Sequence, residues 1–211
     1  MEMIEKTRNL AEIFGIMTGD GCIYVDKRRK VYQTTVSGHL SDDYEYLVNY
    51  VKPLFEQTLG FSFHIKRYKN FNGIALLNQN RSLVFLLENF GLKRGNKINN
   101  NLGIPDWVSK NTDFMEAFLR GLIDTDGSVY CLPKRDHPCI SLKTKMPKLM
   151  VDFSGCMKVL GIRTTKWTFG SETPQIYIYD RAMVKKFKKV VGFKNIKHIK
   201  RYESFMKAPV V

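Results

Sequence analysis

Asp20 and Asp126 stand in matching surroundings. Each closes an apolar stretch of helical period and is followed at once by a glycine and an alternating run: LAEIFGIMTGDGCIY from Leu10 to Tyr24, and DFMEAFLRGLIDTDGSVY from Asp113 to Tyr130. A single Asp-Gly at a helix end is ordinarily a turn. Two copies in the same context favour a shared site. Two carboxylates brought together repel unless a cation lies between them, and an oxygen-rich site of that sort suits Mg²⁺.

Two helices must bring these acids together. Side-chain bulk keeps helix axes about 8–10 Å apart, and tighter packing needs small residues facing the partner. The sequence supplies them at i, i+4 spacing, with Gly15 and Gly19 in the first copy and Gly121 and Thr125 in the second. A glycine inside a helix costs about 0.5–1 kcal/mol relative to alanine, so close backbone approach is the reading that accounts for three of them. If the helices lie side by side and parallel, Asp20 and Asp126 emerge at one end.

The rest of the chain reads as a duplicated unit. Helical periodicity over Glu5–Thr18 gives way to strands over Cys22–Lys27 and Val31–Gly38, then to a helix over Asp42–Leu59 capped by Ser41 or Asp42 and kinked at Pro53. A second hairpin, Phe61–Tyr68 with Gly73–Asn78, and a helix over Gln79–Phe90 complete the first half. The second half repeats it: a motif helix over Phe114–Thr125 with a capping arrangement of Asp113 and Glu116, strands Ser128–Leu132 and Cys139–Lys143, a helix Met146–Leu160, strands Arg163–Thr168 and Gln175–Tyr179, and a helix Asp180–Val191. Gly60 and Gly91 answer Gly161 and Gly192 at a constant offset. Each half is therefore α-β-β-α-β-β-α, an α+β unit with an antiparallel sheet. The boundaries are 1–94 for the first unit, 95–112 for an Asn-rich connection with a short helix near Trp107, and 113–211 for the second.

The 211 residues hold 34 Lys and Arg against 20 Asp and Glu, a net charge of +14. Such an excess favours polyanions, because each Lys or Arg that neutralises a phosphate releases counterions. An apolar share of 44% excludes a disordered basic tail. Cys22, Cys131, Cys139 and Cys156 have no CxxC pairing, and Cys131, His137 and Cys139 make an incomplete zinc set. Reduced thiols in an intracellular protein are expected. No apolar run reaches the length of a membrane span, and the N-terminus lacks the apolar core of a signal peptide.

Strand alternation separates a core face from an outward one. Counting by twos from Asp20 puts Tyr24, Asp26 and Arg28 outward, joined at the turn by Arg29 and Lys30. Gln33, Thr35 and Ser37 continue this face, and inward Phe61, Phe63 and Ile65 leave Ser62, His64, Lys66 and Tyr68 on it. In the second half Tyr130 and Ser141 are outward, with Lys134 and Arg135 at a hairpin tip. Arg163, Thr165 and Trp167 follow, then Gln175, Tyr177 and Tyr179, with Ile176 and Ile178 inward. These side chains offer donors and acceptors suited to base edges in a major groove and cations suited to phosphates.

IFGIMTGDG (Ile13 to Gly21) and LRGLIDTDG (Leu119 to Gly127) resemble the two signature motifs of the LAGLIDADG homing endonucleases in their single-chain form. The second copy is close; the first has Phe14 and Thr18 where the family has a small residue and an acid. The resemblance covers nearly the whole chain and implies two sheets forming a saddle over double-stranded DNA. It implies Asp20 and Asp126 as ligands of Mg²⁺, or another divalent ion such as Mn²⁺, helped by the carbonyls of Gly19 and Thr125. It also implies basic or polar assistants: His39 and Lys143 beyond the second strand of each half, then Lys97 and Lys197. The implied reaction is a site-specific double-strand break across the minor groove with 3′ overhangs. The alternative is a catalytically silent relative, an intron RNA maturase or a DNA-binding regulator. A monomer with internal pseudo-twofold symmetry is expected, freestanding or intron-encoded because no intein splicing portion fits this length, and cytoplasmic or organellar.

Overall fold

The computed structural model describes residues 4–132 and 137–207. The first half runs α1 (Arg8–Gly19), β1 (Gly21–Asp26), β2 (Val31–His39), α2 (Tyr44–Tyr46), a π turn (Leu47–Val51), α3 (Lys52–Leu59), β3 (His64–Arg67), β4 (Gly73–Asn78) and α4 (Arg81–Asn89). Beyond the short α5 (Asp106–Ser109) come α6 (Thr112–Asp126), β5 (Gly127–Cys131), β6 (Pro138–Lys143), α7 (Pro147–Val159), β7 (Gln175–Ile178), α8 (Arg181–Val190) and α9 (Ile196–Lys207).

The α1–α6 pair forms the centre. Leu10, Ile13, Phe14, Ile16 and Met17 of α1 and Phe118, Leu119, Leu122 and Ile123 of α6 are all buried in one continuous core. Close approach requires the glycines at this seam. A β-carbon at Gly15 would lie 2.0 Å from the Phe118 carbonyl oxygen, and one at Gly121 would lie 2.4 Å from the Glu12 carbonyl oxygen. The contact residues advance together along both helices, so the pair is parallel, as the small-residue spacing predicts. Glycine is just as necessary after each acid. A β-carbon at Gly21 would meet the Met17 backbone at 2.4 Å, and one at Gly127 would meet the Ile123 carbonyl oxygen at 2.5 Å. The helix thus turns into its strand only where a side chain is missing.

All strand pairs are antiparallel. The first sheet has the order β1-β2-β4-β3 and the second β5-β6-β7. The four turn glycines expected to correspond, Gly60, Gly91, Gly161 and Gly192, all have positive φ, the conformation that glycine adopts at no steric penalty.

Four local expectations are corrected. The strand expected over Arg163–Thr168 makes only a bridge from Thr168 to Gln175, together with hydrogen bonds between Thr165 and Tyr177. Three steps of this segment face two of β7, and the extra residue is a bulge that breaks the ladder. The kink expected at Pro53 appears as the π turn just before it, with Lys52 N donating to Leu47 O; a π turn is a usual site for such a distortion. Neither Ser41 nor Asp42 caps the helix, because Asp43 occupies the cap position and its carboxylate is engaged elsewhere. On α6 the cap is Asn111, which accepts from Phe114 N at 3.2 Å, while Glu116 pairs with Arg8. In addition, α9 was not anticipated.

Candidate metal and nucleic-acid site

Asp20 and Asp126 leave the shared end of the motif helices together. A β-carbon built on Gly19 would lie 3.4 Å from the carboxyl carbon of Asp126. Burial pushes the Asp20 carboxyl up to about 7, with Asp126 and then Asp43 adding to the shift and Lys197 and Lys97 opposing it. Asp126 is also raised, chiefly by burial, against the pull of Lys97. Two half-buried carboxyl groups this close offer a hard-oxygen donor pair, and that fits a divalent cation. The expected carbonyl assistance from Gly19 is modified. Lys97 Nζ donates to Thr18 O at 3.0 Å and to Gly19 O at a shorter distance, so a tethered ammonium already sits on that carbonyl.

Lys97, Lys143, Asp126 and Gly19 line one pocket of about 400 Å³, together with Lys145. Lys197, which follows Gly192 as Lys97 follows Gly91, has a different partner. Lys197 Nζ donates to Asp43 Oδ1 at 2.7 Å, and the same oxygen accepts from Asn195 Nδ2 at 3.0 Å. Asp43 Oδ2 accepts from His39 N at 2.9 Å. Burial alone would raise Asp43, but the hydrogen bonds from Lys197, Asn195 and the His39 backbone hold it below the ordinary carboxylate range. Asn195 Nδ2 also donates to Asp124 O, and Lys194 N donates to Asp124 Oδ2. The segment before α9 is thereby fastened to the end of α6, a role for Asp124, Asn195 and Asp43 that spacing alone did not reveal.

Residues 113–192 match the LAGLIDADG-like domain. The crystal structure of I-DmoI in complex with DNA and Mn superposes with a TM-score of 0.65 at 18% identity, covering 88% of this chain and 96% of that one. The chain has the LAGLIDADG fold. The N-terminal LAGLIDADG domain of DUF199/WhiA aligns at 16% identity over 90% of this chain and 87% of its own, with a TM-score of 0.57. Two curated relatives are similar in sequence. One is the replication factor C small subunit of Methanocaldococcus jannaschii, 26% identical over 152 residues; the other is the tRNA-splicing ligase RtcB of Methanopyrus kandleri, 27% identical over 132 residues. The aligned parts are 70% and 57% of this chain but only 8% and 13% of those proteins.

On the first LAGLIDADG sheet the register puts Tyr24 opposite Gln33 and Cys22 opposite Thr35, while Ile23 and Val36 are buried on the other face. His64 and Lys66 align with Leu77 and Ala75 on the same outward side as Thr35 and Ser37. Arg28, Arg29 and Lys30 are exposed at the hairpin tip. Asp26 closes that tip, its Oδ1 accepting from Arg28 N and Arg29 N. Ser62 precedes β3 and is joined to the sheet through its carbonyl, which accepts from Asn78 Nδ2. Tyr68 stacks on Phe71 at 4.6 Å beneath Lys66 Nζ. His39 is exposed and close to Ser41 and Asp42.

On the second sheet Ser141, expected outward, lies in the central strand between Ser128 and Tyr177 and is covered, 3% exposed; Lys143 faces Gln175, and Tyr177 stacks on Tyr179 at 4.7 Å. Ile176 and Ile178 are buried as expected. Tyr130 lies opposite Cys139. Arg163 is exposed and pairs with Asp180 at 3.2 Å. Trp167 is not on this face. Its Nε1 donates to Ser154 Oγ and Met150 O, and its ring packs edge-on against Phe153. The bulge inverts the alternation that placed it outward. Lys134 and Arg135 lie outside the described residues.

Proposed function

We propose that this chain is a site-specific DNA endonuclease that takes a divalent metal ion, Mg²⁺ or Mn²⁺, on Asp20 and Asp126. The reading rests on one observation: the two carboxylates converge at the common end of parallel helices, between two antiparallel sheets, in a chain of net charge +14. A bound divalent ion supplies Lewis acidity and an activated water for phosphodiester hydrolysis. The chain's own residues orient the substrate. The outward faces around Tyr24, Gln33, Lys66, Ser128 and Tyr177 approach base edges, and the basic hairpin tip approaches phosphates. Lys97 and Lys143 bring positive charge to a phosphate held over Asp126. One acid per strand gives a double-strand break, in the family's pattern across the minor groove with 3′ overhangs.

The engagement of Gly19 O by Lys97 favours a second reading, a nucleic-acid-binding protein without cleavage such as an intron RNA maturase or a DNA-binding regulator. Selection of cleaved sites from a random duplex library, followed by a plasmid assay on the selected site, separates the two. Metal-dependent linearisation that is lost in Asp20→Asn and Asp126→Asn supports the endonuclease. Tight, salt-sensitive binding with no cleavage in Mg²⁺ or Mn²⁺ supports the alternative.

A further inference from the structure

Each half carries a lysine just after its late turn glycine, Lys97 after Gly91 and Lys197 after Gly192, and the two are in unlike electrostatic situations. Lys97 Nζ is held by two neutral carbonyls, those of Thr18 and Gly19, so its charge is not cancelled by a hydrogen-bonded anion. Lys197 Nζ is held by the carboxylate of Asp43, which is only 7% exposed. Asp43 is itself fixed from three directions, by His39 N, Asn195 Nδ2 and Lys197 Nζ, at the junction of β2 and α2. The surroundings extend the contrast. The pocket beside Lys97 has Lys143 and Lys145 with Asp126, whereas the pocket beside Lys197 has Lys200 and Arg201 with both Asp42 and Glu45.

We propose that Asp43 is a positioning residue that withholds Lys197 from the substrate, so that the two strands of a bound duplex are cut at unequal rates, the strand over Lys97 first. The inference rests on the endonuclease reading. A buried charge pair with good geometry keeps its partner in place, and an ammonium neutralised by a carboxylate gives little help to a phosphate that gains charge in the transition state. Lys97 Nζ has no carboxylate among its hydrogen-bond partners, and the acids that act on its charge, Asp126 and Asp20, are the ones assigned to the metal ion.

The test is a time course on a duplex carrying the selected site, with each strand labelled separately. Wild type is expected to accumulate a duplex nicked in one strand. Asp43→Asn keeps the shape of the side chain and removes the counter-charge, and should speed the slow strand on the order of tenfold while leaving the other within about twofold. The ratio within one protein is an internal control, since partial unfolding lowers both rates alike. Independently of Asp43, Lys97→Met should slow its strand more than Lys197→Met slows the other. Competitive amine acetylation of the metal-free protein adds a measurement without turnover: Lys197 should become more reactive in Asp43→Asn. Equal strand rates in the wild type, or a change in Asp43→Asn common to both strands, overturns the proposal and leaves the endonuclease reading intact. Absence of cleavage in the wild type overturns both.

Discussion

Gly19 lies against Thr125 so closely that a β-carbon on the glycine would be 2.0 Å from the threonine Oγ1. That hydroxyl already donates within α6, to the carbonyls of Gly121 and Leu122, so it has little freedom to move aside. The small-residue contact therefore fixes how far apart the next residues, Asp20 and Asp126, are held.

Alanine at Gly19 is expected to displace Thr125 and Asp126 and to reduce cleavage far more than stability. Alanine at Gly15 meets main chain instead, and should destabilise the fold by about 1–3 kcal/mol. For a chain of this size that lowers the melting temperature by about 2–4 °C per kcal/mol. Calorimetry beside the cleavage assay separates the two; a Gly15→Ala protein as stable as wild type would contradict the seam geometry.

The motif helices are also joined by a buried charge pair. Glu12, 1% exposed, accepts from Arg120 Nε at 3.0 Å and from Tyr50 OH at 2.7 Å. Removing one member leaves the other buried without compensation, so Arg120→Met should destabilise by about 3–5 kcal/mol. Replacing Glu12 and Arg120 together by Gln and Met should be milder than the two single losses added, as a double-mutant cycle in denaturant would measure.

His198 gives the fold an acid-side dependence. Burial, with Lys197 and Arg201 nearby, pushes its imidazole down to about 3. A lowered histidine pKa means that the unfolded chain binds the proton more readily, so this contribution is complete above about pH 6.5 and is lost as pH falls towards 3. In His198→Phe the melting temperature should vary less between pH 6.5 and 4 than in wild type; identical slopes would place the ring in solvent.

Cys22 reports on the outward face without mutation. It is exposed on β1 between Asp20 and Tyr24, opposite Thr35. A bound duplex should slow its alkylation by a maleimide at low salt and release it at high salt, where phosphate contacts weaken. Unchanged labelling in a saturated complex would move the DNA off this face.

What could be read from residue order was the part that repeats. Paired Asp-Gly turns, four matching turn glycines and the i, i+4 small residues each have a physical cause that recurs in both halves. The sites of failure break that repeat. Alternation places Trp167 outward, and one bulged residue inverts it. Among the described residues helix α9 has no counterpart in the first half, although Ile196, Ile199 and Tyr202 recur at helical spacing. Spacing does not distinguish Asp43 from its neighbour Asp42, and its bond to Lys197, 154 positions later, depends on how the halves meet.

The Glu12–Arg120 pair has a consequence for how such a chain chooses its own partner. In the aligned motifs Phe14 stands where the second copy has Arg120, and Phe118 stands where the first has Glu12. Two first halves from separate molecules would set a buried acid against an aromatic ring, and two second halves would do the same to a guanidinium. Only unlike halves satisfy both groups, so this pair disfavours exchange of halves between two molecules.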